Sequence, residues 1–247
     1  MGFFYCVMVN IMNMYKSIKI LYEDNHLIVV VKPAGIPSQA DKTGDEDMLS
    51  LLKLYIKEKY NKPGDVYLGL VHRLDRMTSG IMVFARTSKA ASRLSKNIRE
   101  GDFKKRYLAV LNGYLQKEQK SILLENYLVK DERNNISKVT NKDVKNSKLA
   151  SLEYKVLDNF IANNKEYTYV EVKLNTGRHH QIRVQFSNIG HSLYGDIKYG
   201  KNVNKTGQKL ALFAYNLSFF HPTKDEVMEF RVLPESNGIW SELKEWK

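Results

Sequence analysis

The densest run of functional side chains is His72-Arg73-Leu74-Asp75-Arg76-Met77-Thr78-Ser79-Gly80. One carboxylate stands among two arginines and a histidine, with Leu68, Leu70 and Val71 before it and Ile81 to Phe84 after it. Nearby cations favour the ionised form of such a carboxylate and lower its pKa. An ionised, partly buried carboxylate serves as a nucleophile or a base, so Asp75 is the candidate catalytic residue. A turn aspartate or a structural ion pair also clusters charges, and the segment by itself leaves both readings open.

A second polar segment is Thr176-Gly177-Arg178-His179-His180-Gln181-Ile182-Arg183-Val184-Gln185. Gly177 permits a tight turn into a helix. Arg178, His179, Gln181 and Arg183 then offer donors suited to a phosphate or a carboxylate; a basic, solvated helix end is the plainer alternative. On a helix Arg178 and Arg183 would face different ways, so one could meet a polyanion while the other meets Asp75. No metal is expected. Adjacent histidines diverge on a helix, and His179, His180 and His191 have no carboxylate at ligand spacing.

A third stretch, Arg86 to Arg106, holds eight basic residues and two acidic ones, and Tyr107 follows at once. Clustered cations beside an aromatic suit a nucleic-acid backbone with one stacked base. The alternative is a solvated helix face with Tyr107 in the core. No phosphate-binding Gly-rich loop, dinucleotide fingerprint, nucleophile elbow or zinc deaminase signature occurs, and no cofactor is expected.

The charge balance points the same way. Lys plus Arg total 39 against 27 Asp plus Glu, a net of +12 in 247 residues. Such an excess suggests a polyanionic partner, nucleic acid or an anionic membrane surface, although lysines that merely solvate the surface give the same count. Cys6 is the only cysteine, so no disulfide forms within the chain and no cysteine-based zinc site is possible. That fits a reducing cytoplasm, the expected location. No stretch approaches the roughly 20 apolar residues of a membrane span. Residues 1–13 are expected to be a disordered tail or an upstream start, and residues 14–247 a single catalytic domain.

The elements that must position these residues are legible in part. Leu27 to Lys32 reads as a strand, closed by the turn residues Pro33, Gly35 and Pro37. Asp47 to Tyr60 reads as a helix, with Met48, Leu52, Tyr55 and Ile56 at helical spacing. Gly80 to Arg86 reads as a buried strand. Ser88 to Glu100 reads as a helix, with Ser88 as N-cap and Gly101 as C-cap. Phe103 to Leu115, Tyr167 to Leu174, Ala211 to Phe220 and Glu229 to Leu233 read as strands. Arg178 to Ile189 reads as a third helix, and the polar region 116–147 as hairpins with long loops. Strands outnumber helices without regular alternation. The expected class is α+β, a mixed, mostly antiparallel sheet core with peripheral helices.

Taken together, these segments resemble the RluA family of RNA pseudouridine synthases. HRLDRMTSG (72–80) is similar to that family's H-R-L-D-x-x-T-S-G string. KPAGIPSQ (32–39) resembles its K-P-x-G loop, KKRYLAVLNG (104–113) its K-x-Y-x-A segment, and TGRHHQIRVQ (176–185) its T-G-R-x-H-Q-I-R motif. GDIKYG (195–200) and LALFAYNLSFFHP (210–222) resemble its last blocks. The likeness runs in order from about residue 18 to 235. Two departures, His191-Ser192 for His-Pro and Leu212-Phe213-Ala214 for Leu-His-Ala, fall away from the catalytic segments. No segment ahead of the domain is long enough for the S4-like RNA-binding module of many relatives, so substrate choice is expected to lie in the catalytic domain.

The resemblance implies isomerisation of uridine to pseudouridine in structured RNA, ribosomal or transfer, without cofactor or metal. No membrane and no obligate protein partner are expected. The resemblance places the catalytic aspartate at Asp75, the active-site tyrosine at Tyr107 and the basic partner of the aspartate at Arg183. Arg73 matches the arginine that fills the gap left by the flipped base. The expected RNA-binding set adds His72 and Arg76 beside Asp75, Lys32 in the early loop, and Arg178 and His180 in the second motif. Lys89, Arg93, Lys104 and Lys105 complete it from the basic stretch. Asp75 could attack C1′, attack C6 of the ring, or remove a proton at C2′, and sequence leaves these three open. Two other functions stay on the table: a non-catalytic RNA-binding or ribosome-assembly protein, against which the intact Asp75, Tyr107 and Arg183 argue, and an RNA N-glycosidase that releases uracil.

Overall fold

The computed structural model describes Tyr15 and residues 17–243; the expected tail at 1–13 lies outside the described residues. In chain order the elements are β1 (Lys19–Glu23), β2 (Leu27–Lys32), α1 (Met48–Lys59), β3 (Gly69–Leu70), β4 (Ser79–Ala85) and α2 (Ser88–Glu100). Then come β5 (Lys104–Asn112), β6 (Ile122–Asp131), β7 (Ile136–Thr140), β8 (Lys148–Ala162) and β9 (Lys165–Leu174). The chain ends with α3 (Gln181–Asn188), β10 (Leu212–Phe220), β11 (Val227–Arg231) and a 3-10 turn at Gly238–Glu242. These elements group into two compact units. One holds the described residues up to Phe103 with Asn216–Val232, the other Lys104–Tyr215 with the described residues from Leu233 onward.

In the first unit, the β-branched run of β2 pairs antiparallel with β1 on one side and β4 on the other. Strand alternation sends Leu27 and Val29 to one face. There they join Ile81, Val83 and Ala85 of β4, Ala90 and Leu94 of α2, and Phe103, Leu217 and Phe219 in one buried cluster. Ile28, Val30 and Lys32 point to the other face. The cap of α2 is Thr87, one residue earlier than expected: its hydroxyl accepts from Ala90 N at 3.1 Å. Gly101 ends the helix in a left-handed conformation, as expected from its place at C-cap. α1 is capped by Asp47, which accepts from Leu49 N and Ser50 N at 2.9 and 3.1 Å.

In the second unit, β5, β9, β8, β6 and β7 pair antiparallel in that order. The expected α+β class with a mixed, mostly antiparallel sheet is what the chain adopts. The 15-residue strand β8, absent from the sequence reading, turns into β9 through Asn163 and Asn164, both left-handed, the geometry of a two-residue hairpin. Region 116–147 contains the β6–β7 hairpin. The third helix starts at Gln181, three residues later than expected, because His180 adopts φ 53 and cannot continue a right-handed helix. Arg178 therefore lies ahead of α3, and a helical angle between it and Arg183 has no meaning.

Gly195 sits at φ +76 with Lys209 O only 2.2 Å from where a β-carbon would stand. Gly195→Ala should therefore destabilise the fold by at least about 2 kcal/mol through strain and clash. Urea denaturation tests this; an unchanged midpoint would mean that the segment gives way freely.

Candidate active site

Asp75 lies in the first unit, on the turn between β3 and β4, and its backbone is tied on both sides. Before it, the buried Ser38 hydroxyl donates to Leu74 O at 2.7 Å and accepts from Leu74 N at 3.1 Å. After it, Arg76 O accepts from Gly35 N at 2.9 Å and from Lys32 Nζ at 3.0 Å. Asp75 O itself accepts from Thr78 N at 3.0 Å. Gly35 makes its bond at φ +93, which a side chain would resist. The two early-loop residues Gly35 and Ser38 thus fix a turn some 40 positions later in the sequence.

Lys32 was expected on RNA, and the structure corrects this. Its side chain is 0% exposed, and its ammonium donates to Pro33 O, Ile36 O and Arg76 O at 2.9, 2.7 and 3.0 Å. All three protons are directed at protein carbonyls, so it acts on the Asp75 turn and not on a ligand. Burial pushes its pKa down to about 7, with the nearby Arg76 adding to the fall and the negative charge of Asp75 opposing it.

The other residues of the motif divide by partner. His72 Nε2 accepts from Val83 N at 3.1 Å, prolonging the β3–β4 ladder with a side chain, and its ring packs on Phe103. Arg76 pairs with Asp41 and Asp45 at 3.1 and 2.5 Å. Arg73 is exposed and, among the described residues, makes no hydrogen bond or ion pair. On α2, Lys89 and Arg93 are exposed, and Arg93 donates to Pro222 O at 2.5 Å.

The second unit carries the other expected site residues. Tyr107 is buried on β5, in register with Val172 of β9. Arg183 is buried on α3, where its Nε and Nη2 donate to the two oxygens of Asp196 at 2.7 and 2.8 Å. The side chains are 8% and 0% exposed, and Nη1 stands outside this fork. Asp196 also accepts from Lys198 N and Tyr199 N at 3.0 and 3.2 Å, and the Arg183 guanidinium lies over the Tyr199 ring at 5.1 Å. Sequence reasoning quoted the 195–200 block but missed Asp196 as the arginine's partner; Gly195-Asp196 was its only signal.

Lys104 is exposed at the start of β5. Burial lowers the pKa of Lys105, whose ammonium stands 3.4 Å from where a β-carbon on Gly177 would project. Arg178 is exposed and donates through Nε to Leu149 O at 2.8 Å. His180, expected on RNA, is buried. Its Nδ1 is hydrogen-bonded to the Tyr199 hydroxyl at 2.8 Å, which also accepts from Ser137 N. Burial, then Arg183, hold its pKa far down, at about 2. A neutral, enclosed ring of this kind supports the turn into α3 and offers no charge to a phosphate. Among the described residues no three His, Cys, Asp or Glu side chains gather as a metal would need, and no helix is long and apolar enough to cross a membrane.

A sequence profile of the RNA pseudouridylate synthase family matches residues 26–188, the span that contains Lys32, Asp75, Tyr107 and Arg183. The chain belongs to this family. It is 34% identical over 243 residues to an RNA pseudouridine synthase of Aquifex aeolicus whose function is uncharacterized, covering 92% of this chain and 73% of that protein. It is 36% identical over 228 residues to the ribosomal large subunit pseudouridine synthase D of Neisseria meningitidis serogroup A. That match covers 87% of this chain but 57% of the relative, so the chain spans little more than half of that protein's length. The solved structure of human RNA pseudouridylate synthase domain containing 4 shares the fold, with a TM-score of 0.73 at 22% identity over 92% of this chain and 94% of that one.

In this pseudouridine synthase the buried Lys32 makes stability depend on pH. Its pKa in the fold, about 7, lies below the ordinary 10.5, so above neutrality the unfolded chain binds the extra proton. Stability contributed at this site therefore rises from about pH 7 to about pH 10.5. The Lys32→Met variant should lack that rise when urea midpoints are compared across the range; parallel curves for the two proteins would contradict it.

Proposed function

We propose that this chain isomerises uridine to pseudouridine in structured RNA, with Asp75 as the catalytic carboxylate acting on a flipped-out base. The observation that carries the reading is the Asp75 turn: its neighbours are pinned by Ser38, Gly35 and Lys32, which is the preorganisation a reacting group needs. The positive charge of Lys32 also favours the carboxylate form. The name of the Neisseria relative, a ribosomal large subunit enzyme, favours ribosomal over transfer RNA as substrate.

The reaction breaks the N1–C1′ bond, turns the uracil and rejoins it through C5. A stacked base is out of reach, and extruding it costs a few kcal/mol. Arg73, exposed and unengaged among the described residues, fits the vacated stack with its planar guanidinium. The exposed cations of α2 suit phosphates. Tyr107 confines the uracil while it turns. Arg183 is held in a fixed orientation by Asp196.

Asp75→Asn keeps the shape and removes the charge. Isomerisation in a single-turnover assay on total RNA should vanish while folding and RNA affinity persist. Conversion near the wild-type rate would remove Asp75 from the chemistry. Abasic sites in place of pseudouridine would make the enzyme a glycosidase, and RNA binding with no product from the wild type would make it a binding protein.

A further inference from the structure

Residues 39–45 are exposed and form no helix or strand between buried Ser38 and Asp47, the cap of α1. Within the segment, Asp41 accepts from the Thr43 amide and hydroxyl at 2.9 and 2.6 Å, closing a small turn. Among the described residues, the side-chain hydrogen bonds and ion pairs that join this segment to the rest of the protein come from one side chain, Arg76. Its Nη1 donates to Asp45 at 2.5 Å, and its Nη2 to the Asp41 carboxylate at 3.1 and 3.2 Å and to the Thr43 hydroxyl at 2.5 Å.

Arg76 follows Asp75 directly, yet its backbone carbonyl is held by Lys32 and Gly35. The guanidinium can therefore change partner while Asp75 stays in place. The three side chains are 32%, 43% and 57% exposed, and ion pairs this open to water exchange readily. A phosphate diester presents a guanidinium with the same two-oxygen face as a carboxylate. Charge gives a reason for the exchange. Residues 39–45 hold two acids and one lysine in a chain of net charge +12. A strand of RNA approaching Asp75 meets these two carboxylates unless the segment moves.

We propose that residues 39–45 are a latched strap beside Asp75, and that RNA opens it by drawing the Arg76 guanidinium from Asp41 and Asp45 onto a backbone phosphate. The inference rests on the RNA reading above. The latch makes Arg76 a specificity residue, because an RNA that cannot place a phosphate there leaves the strap closed and its acids facing the strand.

The test is a double-mutant cycle: wild type, Asp41→Asn with Asp45→Asn, Arg76→Gln, and all three changes together. Affinity is measured by anisotropy for a fluorescein-labelled RNA hairpin with uridines in its loop, over a range of salt. With Arg76 present, neutralising the two aspartates should tighten binding about fivefold and steepen the salt dependence; with Arg76→Gln the gain should stay below about twofold. Equal gains in both backgrounds would reduce the effect to a general loss of negative charge and overturn the exchange. Weaker binding by the Asp41→Asn, Asp45→Asn protein would mean that RNA needs the latch closed, and would overturn it as well. A wild type that neither binds the hairpin nor converts uridine in total RNA would bring down the functional reading and this inference together. Wild-type binding and conversion with equal gains would bring down the inference alone.

Discussion

A buried ammonium is costly unless each of its protons finds an acceptor. Lys32 meets that condition with the carbonyls of Pro33, Ile36 and Arg76, and the consequence is organisational. Two of the acceptors belong to the loop that follows β2, and the third belongs to the residue after Asp75. One side chain thereby closes the early loop onto the Asp75 turn. Gly35 and Ser38 add backbone bonds along the same seam. Because β2 and β4 are paired in register, with Lys32 opposite Gly80, the sheet sets the distance across which this clasp works.

The second unit solves a similar problem with an ion pair. Arg183 and Asp196 are both buried, and a buried charge is tolerable when its hydrogen bonds are complete. Asp196 meets this with the Arg183 fork and two backbone amides. Tyr199 then serves three neighbours at once, lying under the Arg183 guanidinium and bonding Ser137 N and His180 Nδ1. The second sequence motif is therefore chiefly a scaffold that sets one arginine, with only Arg178 of its basic residues reaching the surface as an exposed cation.

What could be read from sequence follows from how local each signal is. β2, β4 and α2 were legible because periodicity and turn residues act within a few positions. β8 was missed although Ala150, Leu152, Tyr154 and Val156 alternate along it, because its polar neighbours resemble a loop. α3 began late because a histidine, not a glycine, takes the left-handed position before it. Asp75, proposed as the catalytic carboxylate, stands out by its string. Its supports were not: Ser38 lies 36 residues from Leu74 and Lys32 lies 44 from Arg76, and a lysine in a basic chain gives no sign that it is buried. Arg76 and its partners Asp41 and Asp45 were equally hidden, since only the fold brings residues 31 to 35 positions apart together.

The account stands on Asp75 converting uridine in place. The most direct measurement is a transcriptome-wide map of pseudouridine in cells with this protein, without it, and with only its Asp75→Asn form. The account predicts that at least one uridine, in ribosomal RNA, is pseudouridine in the first case and plain uridine in the other two. An identical map in all three, or a site restored by the Asp75→Asn form, would contradict it.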